Sequence, residues 1–208
     1  MNYSPLLSIS PIDGRYQNAT KELSDYFSEF ALIKYRYKVE VEYLIFLAEK
    51  KFFKLKASEV ELLRASVNDF SVEHAQEIKE TEKTTNHDVK AVEYFLKKKM
   101  DEIGAGHAKE WVHFGLTSQD INNTSIPWSL KNAIQEVILP ELVAVVGILK
   151  QQAIEWQDQP MLAKTHGQPA SPTVLGKEWW VFVSRIESQI DLLIQLPYTA
   201  KFGGATGI

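Results

Sequence analysis

The sequence contains no cysteine among its 208 residues. This absence excludes disulfide bonds, thiolate catalysis and cysteine-based metal sites. His87 and His166 stand in separate segments, and no nearby spacing of His and Glu resembles a set of metal ligands. We therefore predict neither a metal site nor a cofactor.

The chain also lacks a basic excess, a signal-peptide pattern and a long apolar run. A net charge of -4 and a pI near 5.8 argue against nucleic-acid binding, although a small anionic ligand can still find a positive pocket. Residues 1–5 lack a charged-then-apolar pattern. The apolar run 137–149 is too short to span a membrane and contains Pro140 and Glu141. We predict a cytoplasmic protein that binds neither nucleic acid nor a membrane.

Strand signals are weak throughout, with a short exception at residues 161–164. Apolar residues spaced three, four or seven apart predict helices instead; these cover residues 20–51, 58–68, 72–83, 85–100 with the cap included, 117–157 and 174–196. Pro127 and Pro140 are predicted kink points. The predicted fold is all-α: a small N-terminal helical domain at 1–106, followed at 107–208 by the first part of a long central helix bundle.

Residues 165–172 have the sequence T-H-G-Q-P-A-S-P. This composition is typical of a functional site rather than of a packed core. Gly167 allows unusual backbone angles, and Pro169 and Pro172 stiffen the exit towards the next predicted helix. The pattern predicts His166 on a rigid turn at the mouth of that helix, where an imidazole can donate or accept a proton in a fixed direction. The alternative is a loop histidine that only bonds backbone carbonyls.

A second polar turn precedes the helix that ends near residue 100. Thr85 followed three residues later by Asp88 predicts a capping-box-like start. Asn86 and His87 crowd the first turn, where free amides attract anions, and Lys90 could support such an anion site. The alternative is that Thr85 and Asp88 merely cap the helix while His87 is solvated.

Thr117, Ser118 and Asp120 form another predicted capping box. The two hydroxyls stand where helix amides can hold an anion. His107 and His113, just upstream, are predicted to belong to helix and core, without a functional role.

Both ends of the chain carry turn chemistry. Residues 10–14 (S-P-I-D-G) predict a tight turn. Arg15 and Tyr16 follow at once, and the guanidinium could clamp a carboxylate or phosphate; a solvated arginine is the alternative. Residues 201–208 are glycine-rich with no element after them, which predicts that the chain is a piece of a longer protein. A frayed tail is the alternative.

The three polar turns share one design and together resemble the fumarase/aspartase superfamily of all-α lyases, whose signature regions include T-S-x-D and T-H-G-Q-P-A segments. Within it the resemblance is closest to the members that cleave succinylated purine nucleotides. Residues 10–16, 84–95 (TTNHDVKAVEYF) and 117–123 carry that closer likeness.

The resemblance implies a β-elimination that releases fumarate from a succinylated purine-pathway nucleotide. Such chemistry needs a base, an acid for the departing nitrogen, and donors for phosphate and carboxylates. The family implies His166 as the acid, and His87 as a second active-site histidine that orients the substrate or contacts its phosphate. It also implies a carboxylate contact from Gln168 and nucleotide contacts from Arg15, Tyr16, Asn86, Asp88, Thr117 and Ser118.

The sequence departs from the family in one important respect. The family's base stands on a mobile loop, S-S-x-M-P-x-K-x-N, which is absent here. Resembling chains are roughly twice as long, and each of their active sites combines three subunits of a tetramer. The resemblance therefore implies a homo-oligomer in the full-length form and an inactive piece in isolation. Pro127 lies where unbroken helix is expected, which argues against regular helix geometry at this point but does not bear on the site.

Two alternatives remain open from the sequence. One is another lyase of the superfamily, such as one acting on argininosuccinate, although Arg15, Tyr16 and the Asn86–His87–Asp88 cluster speak against it. The other is a non-catalytic helical scaffold of the kind found among eye-lens crystallins, although the retention of all three polar turns argues against it.

Overall fold

The computed structural model describes residues 5–207, and these are mostly helical. The first half holds short 3₁₀ turns at Pro5–Leu7, Lys21–Leu23 and Gly106–Trp111, and the helices α1 (Ser24–Phe27), α2 (Glu29–Glu49), α3 (Ala57–Asn68), α4 (Val72–Thr85) and α5 (Asp88–Glu102). The second half holds α6 (Ser118–Ala133), a π-helical segment (Ile134–Ile138), α7 (Leu139–Glu155), strands β1 (Pro160–Thr165) and β2 (Gln168–Val174), and α8 (Leu175–Gln195). The predicted all-α class is confirmed, with one added hairpin. The first four residues, used above for the signal-peptide argument, and Ile208 in the glycine-rich end lie outside the described residues.

The described chain divides into two compact units. Residues 5–132 together with 198–207 form the first unit, and residues 133–197 form the second. The predicted domain boundary at residue 106 stays a prediction.

Helix α2 is the centre of the first unit, because it is buried on nearly all sides. One set of its residues, including Ile33, Tyr37 and Leu44, packs into a large core with α3, α4 and α5. Val39 packs instead against Val89 and Ile121 in a second, smaller cluster. A helix that is buried all round contacts a neighbour on each face. Helix α2 therefore holds the N-terminal ends of α5 and α6 in place.

The helix ends explain two differences from the predicted boundaries. The helix predicted over residues 20–51 is interrupted at Ser28, whose extended backbone lets its hydroxyl accept the Ala31 amide at 3.1 Å and start α2 afresh. The predicted cap at Thr85 was wrong: α4 continues through Thr85, and Asn86 ends it in the left-handed conformation at φ 51°. His87 is the residue that caps α5.

The second unit is built from α7 and α8. Val146, Val183 and Ile190 form its buried centre. The two helices come close at Gly176, whose amide donates to the Trp156 carbonyl at 2.9 Å. Both predicted kink points lie inside the continuous helical segment Ser118–Glu155. Pro127 lies within α6, and Pro140 follows directly after the π-helical turn Ile134–Ile138, where the helical hydrogen-bond pattern is already altered.

A β-hairpin replaces the simple turn predicted at residues 165–172. Strands β1 and β2 pair antiparallel, with Thr165 opposite Gln168 and a register shift between Leu162 and Lys164. His166 at φ 50° and Gly167 at φ 77° form the two-residue loop, and two positive φ values are the signature of a type I′ turn. The prediction that His166 lies at the mouth of α8 was therefore wrong, because all of β2 separates the loop from that helix.

One helical segment within residues 5–207, Ser118–Glu155, is long and apolar enough to cross a membrane by length and composition. Only 11% of its most apolar 18-residue window is buried. This corrects the expectation that no segment reaches that length. The expectation that the protein binds no membrane stays a prediction.

Candidate active site

His87 and Ser118 are brought together although 31 residues separate them in the chain. Nε2 of His87 lies 3.2 Å from Oγ of Ser118, at the adjoining starts of α5 and α6. Nδ1 of His87 accepts the Lys90 backbone N–H at 3.1 Å, which caps α5. The imidazole is about half exposed, so its outer edge is open to a ligand.

Asp88, next along the chain, is engaged within the protein. One carboxylate oxygen accepts the Val89 amide at 2.8 Å, and the other lies 2.7 Å from the guanidinium of Arg36 on α2. Burial alone would raise the pKa of Asp88, but the amide and the guanidinium outweigh it and lower that pKa. Arg36 also donates from Nε to Asn122 at 2.9 Å, so one buried side chain holds the starts of α5 and α6.

The predicted capping box at residues 117–120 is confirmed in one half: the Thr117 amide donates to Asp120 Oδ2 at 2.9 Å. The other Asp120 oxygen accepts the Gly203 amide at 2.8 Å. The carboxylate is fully buried. Burial would raise the pKa of Asp120, but these two amides and the nearby charge of Lys201 lower it.

A charge cluster that is buried except for Lys90 at its edge lies close to the site in sequence and space. The ammonium of Lys90 pairs with Glu93 at 2.6 Å, and the other oxygen of Glu93 lies 3.7 Å from Nε2 of His113. Nδ1 of His113 is 2.5 Å from Glu40 on α2. Burial lowers the pKa of His113, but the hydrogen bond to Glu40 and the charges of both glutamates raise it overall. Burial also raises the pKa of Glu40.

This cluster corrects the sequence-based interpretation of His113 and adds a partner for Lys90. His113 is more than a core residue, because it joins α2 and α5 through charge and adopts a left-handed backbone at φ 60° just before the Thr117 turn. Lys90 pairs with Glu93, and its backbone amide contacts His87. An anion-supporting role for the Lys90 ammonium stays a prediction.

Sequence reasoning missed Arg36, Glu40 and the role of His113. A signal was present, because Arg36 and Glu40 lie four residues apart on a helix that is otherwise apolar on several faces. Buried charges are tolerated when they are paired. A helix that is apolar all round and carries two opposite charges one turn apart therefore predicts charged partners on neighbouring elements.

His166 and Gln168 belong to the second unit. His166 is exposed at the loop of the hairpin, and Gln168 is exposed at the start of β2. The turn holds the imidazole away from packed side chains, so a ligand can reach it. The acid role of His166 and the carboxylate contact of Gln168 stay predictions.

Arg15 and Tyr16 lie in an exposed turn of the first unit. The guanidinium of Arg15 stands 5.7 Å from the centre of the Tyr16 ring. Among residues 5–207, no hydrogen bond or ion pair joins this turn to His87, Asp88 or Ser118. Their nucleotide contacts, like those of Asn86 and Thr117, stay predictions.

A cavity of about 630 Å³ lies beside Asp120 in the first unit. Its walls are mainly aromatic and apolar, with Tyr43, Trp128 and Phe202 among them. The carboxylates of Glu42 and Asp120 also line this cavity and would repel a phosphate or carboxylate, whereas the His87 and Ser118 pair offers donors to such an anion. No group of three or more metal-ligating side chains occurs in the part of the chain that the structure describes.

Solved structures share this helical architecture. A fumarate lyase from Mesorhizobium sp. BNC1 matches with a TM-score of 0.73 and 21% identity, over 89% of this chain and 43% of that one. The 3-carboxy-cis,cis-muconate lactonizing enzyme from Pseudomonas putida matches with a TM-score of 0.71 and 22% identity, over 90% and 42%. At these identities the likeness concerns the fold alone.

The chain belongs to the Lyase family, whose sequence profile matches residues 14–208. Within that family it is a homologue of adenylosuccinate lyase. It is 51% identical to the adenylosuccinate lyase of Dictyostelium discoideum over 97% of this chain and 45% of that protein. It is 45% identical to that of Escherichia coli (strain K12) over 100% and 46%. The chain thus spans about half the length of these relatives.

Proposed function

We propose that this chain supplies part of the active site of an adenylosuccinate lyase. The reaction is a β-elimination: a base removes the proton from the carbon next to a carboxylate, a carbon–carbon double bond forms, the carbon–nitrogen bond breaks, and an acid protonates the departing nitrogen. Adenylosuccinate gives fumarate and AMP. The succinylated aminoimidazole-carboxamide ribonucleotide gives fumarate and the corresponding amide. Both steps belong to purine nucleotide biosynthesis.

The observation that carries the proposal is the pairing of His87 with Ser118 across two helix starts. These residues come from the two segments whose sequences resemble purine-nucleotide lyases most specifically. The pair offers donors to an anionic oxygen at a half-exposed position. Asn86, Asp88 and Thr117 flank it, and Arg15 and Tyr16 complete the proposed nucleotide contacts.

His166 is the proposed acid. A type I′ turn fixes its backbone, and its exposure leaves the ring free to meet a substrate. Gln168, opposite Thr165 in the hairpin, is the proposed carboxylate contact. No cofactor takes part in this chemistry.

A homotetramer of the longer protein is part of the proposal. Helices α7 and α8 of the second unit expose large apolar side chains, including Val143, Ile148, Phe182 and Leu192, each more than half exposed. Such surface is typical of interfaces between chains. We propose burial against other copies in the cytoplasm, rather than in a membrane, as the reason for this apolar surface.

We expect ligand binding to distinguish adenylosuccinate lyase from its alternatives. AMP at about a hundred times its Kd should stabilise the chain by about 2.7 kcal/mol, a rise in Tm of roughly 5–10 °C. Argininosuccinate at the same concentration should leave Tm unchanged. Thermal unfolding followed by circular dichroism measures both. Stabilisation by argininosuccinate alone would favour the related lyase, and stabilisation by neither compound would contradict the proposed nucleotide contacts of this chain.

We expect the isolated 208-residue chain to release no fumarate from adenylosuccinate. The loop that carries the family's base is absent from its sequence, and loss of a general base alone lowers a rate by roughly 10²–10⁴. Fumarate release is measured by its absorbance, with a full-length adenylosuccinate lyase as the positive control. Turnover near that of the control would contradict the expectation.

A further inference from the structure

Each ring nitrogen of His87 has a different kind of partner. Nδ1 accepts the backbone N–H of Lys90 at 3.1 Å, and this group can only donate. The nearest carboxylate oxygen, Oδ1 of Asp88, lies 3.7 Å from Nδ1, which is beyond hydrogen-bond distance, and accepts the Val89 amide instead. Nε2 faces the hydroxyl of Ser118 at 3.2 Å, which can donate or accept. The Thr85 hydroxyl makes two hydrogen bonds to the His87 backbone. It accepts from the His87 amide at 3.3 Å and donates to the His87 carbonyl at 3.1 Å.

The capping hydrogen bond determines which ring nitrogen of His87 carries the proton. Nδ1 must offer its lone pair to the Lys90 N–H, so it carries no proton while the cap is intact. The neutral ring then carries its proton on Nε2 and donates it to Ser118. We infer that the Lys90 amide is a positioning group which locks His87 in the Nε2–H tautomer, and that His87 serves the site as a fixed hydrogen-bond donor and not as a proton-transfer group.

The tautomer excludes both proton-transfer roles. As a base, His87 would need a lone pair on Nε2, the nitrogen that faces Ser118, and that position holds the proton. As an acid it would have to become an imidazolium first, which would replace the Nδ1 lone pair with a second N–H and break the cap. What remains is a donor pair: His87 donates to Ser118, and the Ser118 hydroxyl is then oriented to donate onwards to an anionic oxygen.

This inference rests on the proposed function only for the identity of the ligand. The tautomer follows from contacts within the first unit, whereas the oxygen that accepts from the donor pair is assigned to the nucleotide by the proposed function. The two can therefore fail separately.

The tautomer is measured directly by long-range ¹H–¹⁵N correlation spectra of the chain labelled with ¹⁵N-histidine, near neutral pH. The His87→Asn variant assigns the His87 signals by their loss. We expect the pattern of a neutral ring with its proton on Nε2. A ring with its proton on Nδ1, or protonated on both nitrogens, would overturn the inference and leave the proposed function untouched.

Two substitutions test the hydrogen bonds of the two ring nitrogens separately. In His87→Asn, the side-chain oxygen takes the place of Nδ1, so the cap survives and the donor towards Ser118 is lost. We expect its Tm to stay within about 2 °C of the unchanged chain, since Asn is a favoured cap, and its affinity for AMP to fall at least about tenfold.

In His87→Gln, the amide nitrogen reaches the place of Nε2, so the hydrogen bond to Ser118 survives and the cap of α5 is lost. We expect its Tm to fall by about 2–4 °C and its AMP affinity to hold within about threefold.

Equal loss of stability in the two variants, or loss of AMP affinity in His87→Gln alone, would overturn the inference. If AMP binds neither the variants nor the unchanged chain, the proposed function loses its support. The spectra and the order of the two Tm values then still decide whether the tautomer is locked.

Discussion

Replacing Gly176 by alanine should lower the free energy of unfolding of the second unit by about 3 kcal/mol. A Cβ atom at this position would overlap the carbonyl oxygen of Ala153 and lie 2.8 Å from the Cα of Gln157. Both obstacles are backbone atoms of the α7 end, which cannot swing aside as a flexible side chain can. The helices must separate instead, and the bond from the Gly176 amide to the Trp156 carbonyl is lost with them.

Gly147 provides the matched control for this substitution. It lies in α7 of the same unit, and a Cβ built there meets no atom within 4 Å. Alanine in place of glycine inside a helix adds roughly 0.5–1 kcal/mol of stability, so the two substitutions should have opposite signs. Urea unfolding followed by circular dichroism gives the free energies, and hydrogen exchange of peptides from α7 and α8 locates the loss. A Gly176→Ala chain as stable as the unchanged one would contradict the close approach described for these helices.

The helical fold was predictable because its signal is local. Apolar residues repeat at helical spacing within each segment, so α3, α4 and α8 were predicted within about two residues of their observed ends. The break at Ser28 was not predicted, since the apolar pattern continues through it. A capping serine with extended backbone interrupts a helix without interrupting its apolar face.

The weak strand signal at residues 161–164 is confirmed by β1, but β2 and its pairing with β1 were missed, because β2 does not alternate between apolar and polar residues. Both strands are largely exposed, and β2 contains Pro169 and Pro172, which argue against a strand in a larger sheet. In a two-stranded sheet every strand is an edge, so these prolines are tolerated. The dipeptide His166–Gly167 was the available signal, since a type I′ turn requires positive φ at both positions and histidine tolerates it better than most residues.

The segments of the candidate site could be predicted, whereas the contacts that hold them could not. Each segment contains polar residues that capping alone leaves unexplained, and this singled out Asn86 and His87. The contact between His87 and Ser118 depends on how α5 and α6 pack around α2, which is long-range information. The same holds for Arg36, whose partners Asp88 and Asn122 lie more than fifty residues further along the chain.

Replacing Asp120 by asparagine should lower the free energy of unfolding of the first unit by about 3 kcal/mol at neutral pH. The carboxylate accepts two backbone amides, from Thr117 and Gly203, and is fully buried. An asparagine can accept only one of them through its oxygen, and its NH₂ group would face the other N–H donor. One buried amide is left unsatisfied, and the bond that remains loses its charged acceptor.

The pH dependence of this loss follows from the lowered pKa of Asp120. Its ordinary value is 3.8, and the folded value lies below that. The ionised carboxylate therefore contributes its full stability above pH 3.8, and the contribution is lost as the pH falls through the folded pKa. The difference between the unchanged chain and Asp120→Asn should be the same at neutral and mildly acidic pH, and should shrink only below 3.8.

Asp69 is the control for this second substitution, because it is an exposed aspartate of the same unit at the end of α3. Asp69→Asn should change the free energy of unfolding by less than about 0.5 kcal/mol. Urea titrations across the pH range measure all three chains. Because Asp120 holds both the Thr117–Ser118 turn and the segment around Gly203, hydrogen exchange should rise in both places in Asp120→Asn. A rise in only one of them would mean that the carboxylate does not join the two segments in solution.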